Sequence, residues 1–164
     1  MKNGIFYLTY NGYYNYTTGI GTQTKTFLGG IDKHYEYFKK HYGDFEVNII
    51  VTEFDETVDD FDFNHKEYAD KIISKYGGKV YTCISAMEKG VDGFWTVENW
   101  KKLTPSAASI VYSGSQRYNR TIVLAFDPPY LNVRRHIELL KKDKNNDIKS
   151  VILGYSSAFI HGKK

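Results

Sequence analysis

Apolar and polar positions in this chain follow two periods in turn. Short β-branched and aromatic runs, Ile5 to Leu8, Phe45 to Thr52, Val80 to Ile84, Thr121 to Phe126 and Ser150 to Tyr155, read as strands. Between them apolar residues recur at steps of three and four, the spacing of a helix with one buried face. Leu28, Ile31, Tyr35, Phe38 and Tyr42 predict one such helix, entered at Gly19-Ile20-Gly21-Thr22 and stopped by Gly43, with Lys39, Lys40 and His41 where cations suit a helix C-terminus. Tyr68, Ile72 and Tyr76 predict a second, with Asn64 as cap, Glu67 completing a capping box and Gly77-Gly78 as its end. Val97, Trp100 and Leu103 open a third. Thr104-Pro105 reads as a new cap followed by proline at the first helical position, so two short helices are expected there, the second running to about Tyr112. Ile137 and Leu140 mark the apolar positions of the last helix.

Five alternations of strand and helix with short connections predict a mostly parallel sheet with helices on both faces, an α/β Rossmann-like three-layer sandwich, because parallel neighbours need a crossover and a helix supplies it. Ligands in such sheets lie beyond the carboxyl ends of the strands. That rule selects Asn11 to Thr22, Glu53 to Asp55, Ser85 to Glu88, Asp127 to Tyr130 and Ser156 to His161. No helix follows the last strand to cover it, which raises the expectation that the fold continues beyond Lys164.

Composition narrows the class. With 164 residues, 41% hydrophobic and 25% charged, the chain fits one soluble domain with a real core. A net charge of +3 is too small to argue for nucleic acid. No apolar run is long enough to span a bilayer, and the N-terminus lacks the order of a signal peptide, so a cytoplasmic protein is expected. Cys83 stands alone in a strand-like run and reads as a small buried apolar residue. The acidic stretch from Glu53 to Asp62 matches neither a calcium loop nor a paired-carboxylate motif; it reads as solvated, and no metal is expected. His34, His41, His65 and His136 read as surface residues, and Ser115 and Ser156 have no neighbouring His and Asp that would mark a nucleophile. Fifteen tyrosines and ten phenylalanines are the outlier. Tyr10, Tyr13, Tyr14 and Tyr16 cluster just before the glycine turn, where their faces could stack on a sugar or a base.

Two features carry candidate chemistry. A glycine loop that opens a helix directs backbone N–H groups at one spot, where a phosphate can be held. Thr24 stands where a dinucleotide fingerprint has its third glycine, and roughly ten residues separate strand from turn, so a nicotinamide or flavin enzyme is disfavoured. Asp127 follows a strand and precedes Pro128-Pro129, which stiffen the backbone; it reads equally as a base or hydroxyl ligand and as a cap for the next helix.

The turn Gly19-Ile20-Gly21-Thr22 before a long helix, the segment Gly43-Asp44-Phe45-Glu46-Val47, the Asp127 turn and the run Lys149 to Tyr155 together resemble the N-terminal half of GT-B type glycosyltransferases, the retaining group that includes glycogen and sucrose synthases. The resemblance implies that residues 1–164 are the acceptor-side Rossmann-like domain of a two-domain bacterial enzyme. That enzyme would move a sugar from a nucleotide-sugar donor, a UDP- or GDP-sugar, to a glycan or lipid acceptor, with its own C-terminal domain holding most of the donor and no metal or other cofactor. It places Gly19, Ile20, Gly21 and Thr22 at the donor phosphates, Asp127 at the catalytic centre and Asn11, Tyr13, Tyr14 and Ser156 at the acceptor. It allows a location at the inner face of the membrane as well as free in the cytoplasm. Many members carry a histidine where this chain has Phe126-Asp127 or Tyr155-Ser156, so no catalytic histidine is carried over. The alternative is a non-catalytic flavodoxin-like or nucleotide-binding interaction module that meets its partner through the aromatic loop; the acidic pair of a receiver domain is missing at Thr9-Tyr10-Asn11.

Overall fold

The computed structural model describes residues 2–9, 12–14, 19–52, 62–83, 97–125, 130, 132–140 and 148–152. Strands β1 (Asn3–Leu8), β2 (Phe45–Thr52), β3 (Val80–Cys83), β4 (Thr121–Ala125) and β5 (Ile148–Ile152) form one sheet in the order β3-β2-β1-β4-β5. Every neighbouring pair is parallel. Helices α1 (Gly19–Lys33), α2 (Tyr35–Tyr42), α3 (Phe63–Lys75), α4 (Val97–Ser115) and α5 (Val133–Leu140) supply the crossovers. This is the Rossmann-like α/β sandwich that the alternation predicts.

The strands read as unbroken apolar runs because both faces of the sheet are covered. Ile5, Tyr7, Val47, Ile49 and Val51 point to one face and pack with Leu28 and Ile31 of α1 and Ala69, Ile72 and Ile73 of α3. Phe6, Leu8, Ile50, Val123 and Ala125 point to the other, against Leu103, Ala107, Ala108 and Val111 of α4 and Val133 and Ile137 of α5. Each large apolar side chain fully removed from water contributes about 1.5–3 kcal/mol, so these two layers are the main source of stability. Asn48 of β2 is a polar residue inside the sheet. It is fully buried, and its amide donates to the Tyr118 hydroxyl at 2.9 Å and to the Ile5 carbonyl at 3.3 Å while accepting from the Lys79 N–H at 3.0 Å.

Four expectations are corrected. The helix that Leu28 to Tyr42 predicts is two helices, broken at His34, whose φ of −112° and ψ of 22° leave the helical range. The break lets Tyr35 stack on Tyr76 with centroids 4.0 Å apart and pack on Phe45 at 5.0 Å, and it leaves Phe38 exposed. At Pro105 the reverse holds: α4 runs unbroken from Val97 to Ser115. An internal proline costs about 3 kcal/mol, and the burial of Leu103, Ala107, Ala108 and Val111 on the sheet outweighs it. The cap of α3 is Asp62, two residues before the expected Asn64; its carboxylate accepts the His65 N–H at 3.0 Å. Leu140 is exposed, and Val133 and Ile137 carry the buried face of α5. The glycine stops appear as read, since Gly43 and Gly77 adopt φ of +85° and +75°.

Candidate functional site

The strand order fixes where a site can form. From β1 the chain crosses to β2 by helices packed on one face of the sheet, whereas β4, on the other side of β1, is reached through α4 on the opposite face. A change of crossover face of this kind at one strand marks the switch point of a parallel α/β sheet, so the carboxyl ends of β1 and β4 are where a ligand crevice is expected.

Its floor is built around Thr9, directly after β1. The Thr9 N–H donates to the Ile50 carbonyl at 2.9 Å, continuing the sheet ladder by one residue. The Thr9 hydroxyl accepts the Gly12 N–H at 3.1 Å and starts a tight turn. The Thr9 carbonyl accepts the hydroxyl of Tyr130 at 3.2 Å. Tyr130 follows β4 and is fully buried, so this bond links the two segments that flank the crevice.

One wall is the segment 12–14, held against α3. His65 Nε2 lies 2.5 Å from the Gly12 carbonyl, which requires the proton on Nε2. The Tyr14 carbonyl accepts the Asp62 N–H at 2.8 Å. The Tyr13 hydroxyl donates to Asp70 Oδ1, and Lys66 both pairs with Asp70 at 2.9 Å and sits 5.4 Å from the centre of the Tyr13 ring. Burial, and then the Asp70 carboxylate, raise the Tyr13 phenol above its ordinary value. The phenol is thus a hydrogen-bond donor and not a base at neutral pH.

The other wall is the amino end of α1. Gly19 and Ile20 open the helix, Gly21 is buried and Thr22 is exposed. No acidic residue stands in the first turn of α1, so no side chain of that turn offsets the positive end of the helix dipole. Thr24 is fully buried, with its hydroxyl 3.5 Å from that of Tyr7. The position where a dinucleotide fingerprint has glycine is thus used for packing on β1.

Of the residues expected at the site, Gly19 to Thr22 and Tyr13-Tyr14 lie at this rim. Tyr13 is only 4% exposed, and its ring is taken up by packing against Tyr14 at 4.9 Å and by Lys66. It therefore presents no face to an acceptor; Tyr14 is half-buried. Asn11, Asp127 and Ser156 lie outside the described residues, as do Glu53 to Asp55 and Ser85 to Glu88. His65, expected on the surface, is 4% exposed and is a structural tie. Thr9 is not singled out by the sequence as a site residue, and Tyr130 is placed only as the end of the candidate segment Asp127 to Tyr130, with no role of its own. Tyr130 had one usable signal, its place at the end of the Asp127-Pro128-Pro129 stop, where an aromatic ring with a polar tip suits a position half in the core.

Among the described residues no three His, Cys, Asp or Glu side chains are grouped to hold a metal, and no helix is long and apolar enough to cross a membrane. No protein-family model matches the chain, and no curated protein matches it.

Proposed function

We propose that this chain is the acceptor-side Rossmann-like domain of a sugar transferase that uses a nucleotide-sugar donor, and that a second domain completes the cleft. The observation that supports this reading is the position of the α1 amino end beside the β1–β4 switch point, the place where parallel α/β sheets receive phosphorylated ligands. On this reading the donor diphosphate approaches Gly19 to Thr22. The helix dipole stabilises negative charge that grows on the leaving diphosphate as the glycosidic bond breaks, a role that needs no proton transfer from the helix. Asp127 orients or deprotonates the acceptor hydroxyl, and Tyr14 offers the aromatic surface on the acceptor side.

The exposed residue of the turn supplies the test. Thr22→Asp places a carboxylate at the proposed phosphate position without disturbing the core. In the protein that includes the second domain, kcat/KM for UDP- or GDP-sugar transfer should fall at least about 100-fold, the loss seen when one stabilising donor is removed. Residues 1–164 alone should transfer no sugar. Unchanged kcat/KM in the variant, or turnover by the isolated chain, would contradict the assignment.

A further inference from the structure

The opposite rim of the sheet carries a second concavity. An open depression of about 510 Å³ lies where the α1–α2 corner meets the C-terminal end of α3. Its volume is within the range of small-molecule sites. β2 runs for eight residues between this rim and the crevice, so the two are roughly 25 Å apart at 3.3 Å per residue.

Three tyrosines line it. Tyr35 and Tyr76 stack on each other, with planes 15° from parallel. Tyr37 extends from α2 and is 62% exposed, with Phe38 and His41 beside it at 5.9 Å and 4.4 Å. The polar groups are fixed as well. Asp32 Oδ1 accepts the Tyr76 hydroxyl at 2.5 Å and the Lys75 ammonium at 3.0 Å. Those two bonds hold the Asp32 carboxyl below the usual carboxylate range, so it is an anionic acceptor at neutral pH. The two lysines of the lining, Lys33 and Lys75, balance the two carboxylates, Asp32 and Glu36.

A site with balanced charge offers little net attraction to a phosphate or a polyanion. What it offers is an exposed aromatic face beside fixed carboxylate, phenol and ammonium groups. A pyranose ring matches that set, because its C–H face is apolar and packs on an aromatic ring while its hydroxyls both donate and accept. We infer that the depression bounded by Asp32, Tyr37, Lys75 and Tyr76 binds a neutral sugar ring of an oligosaccharide, with Tyr37 as the stacking platform. This binding is independent of the transfer reading, since it uses the other rim and needs no nucleotide.

The test is a titration of the full ¹⁵N-labelled chain with maltotetraose, cellotetraose and tetra-N-acetylchitotetraose, with a heparin-derived tetrasaccharide as the charged comparison. At least one neutral tetrasaccharide should shift the amides of residues 32–37 and 75–76, with a dissociation constant of about 1 mM or tighter. Tyr37→Ala, at an exposed position, should weaken that binding at least about tenfold, and Tyr37→Trp should restore it. Shifts at those amides with none of the neutral sugars, equal binding by Tyr37→Ala, or tighter binding of the heparin fragment would each overturn the inference. Failure here leaves the Thr22→Asp experiment untouched, and the converse also holds.

Discussion

Tyr130 shows how one side chain can join two loops. Its ring fills the core while its hydroxyl, on the segment after β4, reaches the Thr9 carbonyl just past the end of β1. Tyr130→Phe keeps the ring and removes the bond, so chemical unfolding should show a loss of about 0.5–1.5 kcal/mol with an unchanged m-value. Cys83 is the other residue whose setting makes a sharp statement. It is fully buried, and burial pushes its thiol from 9.0 up to about 12, a rise that a hydrogen bond with Ser106 partly offsets. At pH 8 only about one part in ten thousand is thiolate, so an aromatic disulfide reagent should not react with it until the chain unfolds. The direction of the shift also sets a pH dependence. An acid whose value is raised on folding adds stability that is complete below its unfolded value and disappears as the pH climbs through the folded one. The buried phenols of Tyr13 and Tyr118 shift the same way. The thermal midpoint should therefore fall steadily above pH 9, and a midpoint that is flat to pH 11 would contradict the burial of these groups. The sequence signalled the setting of Cys83 through its strand-like neighbours. It did not signal that of Tyr13, because a tyrosine between glycine and tyrosine in a loop carries no pattern that separates a buried ring from an exposed one.

At the scale of elements, the five strands were legible because β-branched and aromatic runs bounded by turn residues have few other solutions. Where helices start and break was less so. Asp62 looked like one more charge in an acidic stretch, yet its carboxylate caps α3, and the adjacent His65 ties the Gly12 carbonyl to the same helix turn. Asp62→Ala should cost about 1 kcal/mol in unfolding experiments, and hydrogen exchange should quicken at the first turn of α3. The break at His34 and the continuity through Pro105 both follow from packing between distant segments. Tyr35 finds Tyr76 and Phe45, and Leu103, Ala107, Ala108 and Val111 find the sheet. Local propensity holds no information about either contact. Close approach leaves a clearer trace at Gly78, in the turn between α3 and β3, where a Cβ would lie 1.7 Å from the Val47 carbonyl oxygen, so even alanine forces that turn away from β2.

For the whole molecule, strand order is what turns an alternation of elements into a functional reading. Alternation alone predicts parallel strands and a carboxyl rim. The order β3-β2-β1-β4-β5 adds that the chain reverses direction at β1, which brings the amino end of α1 and the Tyr130 segment to the same crevice. The two rims differ in kind. One joins a helix dipole to the β1–β4 crevice, and the other holds a charge-balanced aromatic depression. The central claim, that the crevice receives the diphosphate of a nucleotide sugar, is tested most directly by hydrogen–deuterium exchange on the protein that includes the second domain, with and without UDP- and GDP-sugars. One of these donors should slow exchange at residues 19–22 and leave the amino rim, residues 32–37 and 75–79, unchanged. Protection confined to the amino rim, or no protection at residues 19–22 when donor binding is saturated, would contradict it.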